Sequence, residues 1–171
     1  MSKRGKFYLF VCFQILFLLL MIGMKQFTLY TGKKILLEIV PIDPRDIFRG
    51  EYVRLNYKIS TIKLPNVREI KKNSVVYVTL KKTEKYWEPL AVNQEKPILG
   101  EGEIFLVGKK RWGNHIEYGI ESFFVPEGKA IEIERDRENV KSVEVSVDRF
   151  GNSVIHQILI NDKPLKQFIK D

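Results

Sequence analysis

The chain begins with an uninterrupted apolar segment and continues as shorter stretches in which apolar and polar residues alternate. Phe7–Met24 carries no charge, and Gln14 is its only clearly polar side chain. As a helix rising about 1.5 Å per residue, the segment spans about 27 Å, close to the hydrocarbon thickness of a bilayer. A helix also satisfies its own backbone hydrogen bonds, which lipid cannot do. The pattern therefore predicts one transmembrane helix at residues 7–24.

The flanking residues favour an uncleaved anchor over a removable signal. The segment ends M-I-G-M-K-Q-F-T, without the small residues that signal-peptide cleavage needs. Cys12 lies too early in the apolar run to be the lipidated cysteine of a lipoprotein. Basic residues are nearly balanced across the segment, so the charge rule decides little, but a very short N-terminus is easily left inside. We expect residues 1–6 in the cytoplasm, 25–34 as a juxtamembrane linker and 35–171 as a domain outside the cell membrane.

After residue 34 the dominant pattern is the period of two that is typical of β-strands. Glu51–Ile59 alternates strictly, with Leu55 and Tyr57 on one face and Tyr52 and Arg54 on the other. Tyr57 is predicted to lie in the core with its hydroxyl hydrogen-bonded at the edge. Composition predicts further strands at Ile35–Val40, Ser74–Leu80, Glu103–Val107, His115–Phe124, Val143–Asp148 and Ser153–Ile160.

Turn residues complete the predicted fold. Phe150–Asn152 is expected to join the last two long strands as a hairpin, because Gly151 can adopt a positive φ. Glu127–Glu138 has the spacing of one short helix, although the alternation Ile131–Glu134 is equally compatible with a strand. The sequence therefore predicts a mainly β domain, an antiparallel sandwich or barrel-like fold, with at most one short helix besides the N-terminal one.

Composition and charge exclude several classes of function. The chain has 171 residues, enough for one domain, and a net charge of +8. Basic and acidic residues alternate through the body of the chain, whereas a nucleic-acid-binding protein gathers its positive charge on one face or arm. Cys12 is the single cysteine, and His115 and His156 lack the spacing of metal ligands. We therefore expect no nucleic-acid partner, no metal site and no cofactor.

The segment from Pro41 to Tyr57 reads P-I-D-P-R-D-I-F-R-G-E-Y-V-R-L-N-Y and concentrates charge in a loop between two strands. Paired carboxylates can act as general acid and base when their environments separate their pKa values. They can equally neutralise the arginines of the same segment, which is the simpler interpretation because the two charges are equally numerous. The carboxylates are Asp43, Asp46 and Glu51, and the arginines are Arg45, Arg49 and Arg54.

Two blocks of sequence resemble the GDYXXLXY family of bacterial membrane-anchored proteins. Gly50, Tyr52, Leu55 and Tyr57 match the motif, while Glu51 replaces its aspartate. The stretch Y-G-I-E-S-F-F-V-P-E-G-K, from residue 118 to 129, also resembles the family. The resemblance implies a single anchor and an outer domain without an established activity. It also implies a complex, since members are often encoded beside multi-spanning membrane proteins.

Three functions remain open from the sequence. The leading hypothesis is a non-enzymatic, membrane-anchored module that binds a multi-spanning membrane protein or an envelope component. Its candidate binding surface comprises Asp43, Arg45, Asp46, Arg49, Glu51, Tyr52 and Arg54, with a second motif at Tyr118, Glu121 and Glu127. The alternative is an envelope hydrolase that uses the carboxylates of the Asp43–Glu51 loop. The third is a cytoplasm-facing domain that rests on anionic lipid through Lys33, Lys34, Lys63, Lys71 and Lys72.

Overall fold

A computed structural model describes residues 3–40, 52–64, 67–124, 140–160 and 163–165. It begins with one helix, α1, from Lys3 to Thr31. The helix contains the predicted apolar segment, and its large side chains from Phe7 to Met24 are exposed. It is long and apolar enough to cross a membrane.

The rest of the described chain is antiparallel β-structure, which confirms the predicted fold class. The strands are β1 Lys33–Glu38, β2 Tyr52–Arg54, β3 Val75–Lys82, β4 Trp87–Asn93, β5 Glu103–Lys110, β6 Ile116–Glu117, β7 Ser122–Phe124, β8 Val140–Val147, β9 Ser153–Ile160 and β10 Lys163–Pro164. One four-stranded sheet has the order β1-β8-β9-β10, the other has the order β4-β3-β5-β6, and β2 pairs with β7.

Both four-stranded sheets contribute to one hydrophobic core. Alternate residues of the strands point inward, because successive side chains of a strand lie on opposite faces. Ile35 and Leu37 of β1 join Val76 and Val78 of β3 in the same buried cluster, as does Val145 of β8. The alternating pattern of the sequence is thus the physical origin of this core.

Two predicted strands are shorter in the structure. The alternating stretch at 51–59 forms only β2, after which Tyr57 makes an isolated bridge with Ile39 and Lys58–Ser60 form a 3-10 turn. The stretch at 115–124 is divided into β6 and β7. Strand β4, which the sequence analysis missed, contains Pro89 and lies at a sheet edge, where proline is tolerated. The predicted helix at Glu127–Glu138 lies outside the described residues.

The helix reaches the β domain with one intervening residue. Residues 25–34, expected as a linker, are the last turns of α1, Gly32 and the first two residues of β1. Thr28, only 3% exposed, donates a hydrogen bond from Oγ1 to Oδ2 of Asp148 at 2.9 Å. Ser146 Oγ donates to the carbonyl of Leu29 at 3.1 Å. A Cβ on Gly32 would lie 2.9 Å from the Val147 nitrogen, so only glycine permits this close approach.

The turn that receives the helix is the hairpin predicted between β8 and β9. Gly151 has a φ of +82°, which confirms the reason for a glycine there. Asp148 Oδ1 accepts the backbone N–H groups of Phe150 at 2.8 Å and Asn152 at 3.0 Å. Partial burial acts to raise the pKa of Asp148, but hydrogen bonds from Asn152, Thr28 and these backbone groups outweigh it and hold the pKa below its usual 3.8.

Candidate functional site

The two blocks of sequence that carry the motifs lie side by side. Strand β2 pairs with β7 in antiparallel register, with Tyr52 opposite Phe124 and Arg54 opposite Ser122. The ladder is extended where the N–H of Leu55 donates to the carbonyl of Glu121 at 2.7 Å. The backbones of Arg54 and Leu55, from the first block, therefore lie beside those of Ser122 and Glu121, from the second. The sequence alone could not establish this neighbourhood.

Two tyrosines, one from each block, are buried and hydrogen-bonded. Tyr57 is 1% exposed and donates its hydroxyl to the carbonyl of Ile120 at 2.7 Å, as expected for a core tyrosine. Tyr118 is 7% exposed and donates to the carbonyl of Ile59 at 2.8 Å. Burial, and to a smaller extent the charge of Glu121, raises the pKa of both hydroxyls well above the usual value of 10. Both side chains are thus neutral donors used within the domain.

Glu121 shapes the bend between β6 and β7. Its Oε1 accepts the backbone N–H of Tyr118 at 2.5 Å, and the side chain is half-buried. A hydrogen bond from a backbone N–H to a carboxylate is strong and directional. Glu121 therefore holds the chain in the conformation that brings Tyr118 to the core.

The remaining predicted site residues fall partly outside the described chain. Asp43, Arg45, Asp46, Arg49, Glu51 and Glu127 lie outside the described residues, and Tyr52 and Arg54 are described by their backbone. The ends of the two segments that carry them are nevertheless placed. The Val40 N–H donates to the carbonyl of Asn56 at 2.8 Å, next to the Ile39–Tyr57 bridge.

The register of β2 and β7 relates these two segments to each other. Tyr52 begins β2, Phe124 ends β7, and the two are paired. Segments 41–51 and 125–139 therefore join the described chain at the same end of one antiparallel ladder. The segment with the charged residues of the first block and the segment with Glu127 are therefore attached to paired backbone positions, Tyr52 and Phe124.

The two histidines are also placed, and they lie in different surroundings. His115 stacks against Trp112, with ring centroids 5.8 Å apart. His156 lies 3.0 Å from Lys34 Nζ and 3.8 Å from a carboxylate oxygen of Glu144. Across the described part of the chain, no three His, Cys, Asp or Glu side chains are grouped to hold a metal ion.

A protein-family model described as "GDYXXLXY protein" matches residues 14–158. The chain belongs to the GDYXXLXY family. No curated protein and no solved structure matches it. In this GDYXXLXY protein, two letters of the motif are assigned to the core, because Leu55 and Tyr57 are 4% and 1% exposed. Leu55 and Tyr57 thus stabilise the domain to which the charged segment 41–51 is connected.

The sequence analysis missed the contact between the helix and the hairpin. Thr28 and Asp148 are separated by 120 positions, and no local pattern pairs them. Each residue stands in a recognisable sequence context, since Asp148 precedes an R-F-G-N turn and Thr28 follows the apolar run. Neither context identifies the other residue as its partner.

Proposed function

We propose that this protein is a membrane-anchored accessory domain that lies outside the cytoplasm and binds a multi-spanning membrane protein or an envelope component. The observation that carries the proposal is the docking of the apolar helix α1 onto the β8–β9 hairpin. An exposed apolar helix requires a lipid or protein environment.

The docking supports an anchor that is retained in the mature protein. Thr28 is buried against the domain, where it supplies one of the hydrogen bonds to Asp148. Cleavage after the apolar segment would leave the remaining helical turns too short to be stable alone. It would also weaken the contacts of the hairpin. A retained helix avoids both losses.

The candidate contact surface is the charged segment 41–51 together with the start of β2. Val40, directly before this segment, donates a backbone hydrogen bond to Asn56, and Tyr52, directly after it, is paired with Phe124 in the antiparallel ladder. Charged loops mounted on rigid sheets are a common location for binding residues. Segment 125–139, with Glu127, follows Phe124, the residue paired with Tyr52, and is therefore included in the proposed contact surface.

Affinity purification from detergent-solubilised membranes tests the proposal. The full-length wild type is compared with Arg49→Ala and Tyr52→Ala, and each variant is checked for folding by thermal unfolding. Arg149→Ala serves as the matched control, because Arg149 is exposed on the β8–β9 turn.

The expected result is one multi-spanning membrane protein or envelope component that is captured by the wild type and by Arg149→Ala. Its capture is reduced at least tenfold by Arg49→Ala or Tyr52→Ala. Equal capture by all four folded proteins would show that this loop is not the contact. Capture of nothing specific by the wild type would remove the accessory role.

A further inference from the structure

An open cavity of about 600 Å³ lies beside the hairpin that joins β5 to β6. Four of its lining residues carry positive charge: Arg68, Lys72, Lys110 and Arg111. Cavities of this size are typical of sites for small ligands. Its described lining residues belong to residues 68–72 and 110–114, not to β2 or β7.

Three of the four cations have no carboxylate partner within the described residues. Arg111 is paired with Glu117 and also donates to Asn73 Oδ1 at 3.1 Å. Arg68 Nε donates to the amide oxygen of Asn114, at 3.4 Å. An unbalanced group of cations around a cavity raises the local concentration of anions.

Lys110 is a buried cation, so the lack of a compensating negative charge is energetically unfavourable. The residue is only 2% exposed, and its ammonium donates to the backbone carbonyls of Gly113 and Arg111. Burial of a charge is unfavourable unless an opposite charge compensates it. An ammonium has three donors, of which these carbonyls accept two, and Lys110 lines the cavity.

Trp112 adds an apolar surface at the rim of the same cavity. Its side chain is 68% exposed, and its ring is nearly parallel to that of His115, at 16°. An exposed, oriented indole offers a flat face to a ligand ring and excludes water from neighbouring polar contacts. The cavity therefore combines an anion site with a platform for a ring.

The position of the cavity argues against a headgroup of the membrane that α1 would cross. Lys82 at the end of β3 pairs with Trp87, and Lys33, the first residue of β1, lies over the Trp87 ring at 4.9 Å. Val75 at the start of β3 pairs with Lys109, next to the cavity. The length of β3 separates these two ends by about 23 Å.

We propose that the cavity binds a phosphorylated sugar, with its phosphate held by Arg68, Lys72 and Lys110 and its ring packed against Trp112. A phosphate monoester carries a charge of about −1.5 to −2 near neutral pH, which matches three cations better than a carboxylate does. Asn114 lies at the cavity wall, where its amide can hydrogen-bond a sugar hydroxyl. This inference does not depend on the contact surface proposed above.

Calorimetric titration of the full-length protein tests the site. The protein is held in a polyoxyethylene detergent, which has no sugar headgroup to compete. The three probes are N-acetylglucosamine 1-phosphate, glycerol 3-phosphate, which lacks a ring, and inorganic phosphate. We expect the sugar phosphate to bind at least tenfold more tightly than the other two, and its affinity to fall as salt is added.

Variants of exposed residues identify the contacts without disturbing the core. Arg68→Gln and Lys72→Gln should each weaken the sugar phosphate about tenfold or more, because each removes a charge-assisted hydrogen bond. Trp112→Ala should reduce the affinity for the sugar phosphate to that for glycerol 3-phosphate. Lys82→Gln, at the opposite end of β3, should leave all affinities unchanged.

The proposal is overturned if N-acetylglucosamine 1-phosphate does not bind, or binds no more tightly than inorganic phosphate. It is also overturned if Lys82→Gln weakens binding as much as Lys72→Gln, since attraction would then reflect net charge alone. Partner capture by the Arg49 and Tyr52 variants is measured separately. The two proposals can therefore fail independently.

Discussion

Tyr57 and Tyr118 each donate a hydrogen bond to the chain segment that contains the other tyrosine. Tyr57 donates its hydroxyl to Ile120, two residues after Tyr118, and Tyr118 donates to Ile59, two residues after Tyr57. The result is a reciprocal pair of hydrogen bonds that joins the segment around Tyr57 to the segment around Tyr118. Each acceptor is a backbone carbonyl, so the arrangement fixes the path of the chain.

Removal of either hydroxyl should destabilise the domain. Tyr57→Phe would leave the carbonyl of Ile120 without this donor, and Tyr118→Phe would do the same at Ile59. A buried acceptor that loses its partner costs about 1–3 kcal/mol. We expect each variant to lower the free energy of unfolding by that amount, measured by urea denaturation in detergent.

Tyr77→Phe is the matched control for this pair. Tyr77 lies on β3 and its ring contacts Phe105 at a centroid distance of 5.7 Å, a contact that phenylalanine preserves. We expect its free energy of unfolding to change by less than about 0.5 kcal/mol. Loss of stability as large as in the other two variants would show that the hydroxyl bonds are not the cause.

The junction between α1 and β1 should not tolerate a side chain at Gly32. In Gly32→Ala the new Cβ would meet the Thr28 carbonyl oxygen at 2.5 Å as well as the Val147 nitrogen. These are backbone atoms, so relief requires the helix to move, at a cost of about 1–3 kcal/mol. Gly23→Ala is the control, because nothing lies within 4 Å of its Cβ. Thermal unfolding of both full-length variants in detergent gives the comparison, and equal melting temperatures would contradict the close approach.

Stability should fall in acid through Asp148. Its pKa is lower in the folded protein than the usual 3.8, so its contribution is complete above that value and is lost as pH falls through the folded pKa. Asp148→Asn should be less stable than the wild type at pH 7, and the difference should shrink below about pH 4. Thr28→Val removes one donor to the carboxylate and should reduce the same acid dependence. Melting temperatures from pH 7 to 2.5 measure both effects, and a difference that stays constant with pH would exclude Asp148 as the group.

The side of the membrane on which the domain lies can be tested with cysteine labelling. Lys96 is exposed, so Lys96→Cys provides a reactive thiol on the domain, while Cys12 lies within the apolar helix. A membrane-impermeant maleimide added to intact cells should modify Lys96→Cys and leave the wild type unmodified. Modification only after lysis would instead favour the hypothesis of a cytoplasm-facing domain on anionic lipid.

Local patterns were sufficient to predict several of the long elements. Phe7–Met24 specifies a helix by apolar length, and Ser153–Ile160 is a strand with the predicted bounds. The stretch at 51–59 alternates just as regularly, yet its strand ends at Arg54. Beyond Arg54, Tyr57 instead forms a bridge with Ile39 and donates its hydroxyl to the carbonyl of Ile120. Tertiary contacts thus overrode the local preference, as they often do for strands.

Other features depend on contacts between distant residues and could not be read from the sequence. The basic cavity combines Arg68 and Lys72 with a hairpin that begins almost forty positions later, so their charges look dispersed along the chain. Strand β4 was missed because Pro89 and the charged residues around it do not alternate regularly. The two motif blocks could be identified from the sequence, but only the pairing of β2 with β7 shows that they are neighbours.

The single residue between α1 and β1 determines how the domain is presented. A flexible tether would let the domain rotate and change its height freely, and binding would then cost that orientational entropy. Here the helix continues about 10 Å beyond its apolar segment before the sheet begins. In the proposed anchored protein, a change in the tilt of the helix therefore also changes the orientation of the β domain. The basic cavity lies at the end of β3 opposite to the end near Lys33, so a change in the angle of the anchor also changes the position of the cavity relative to the bilayer.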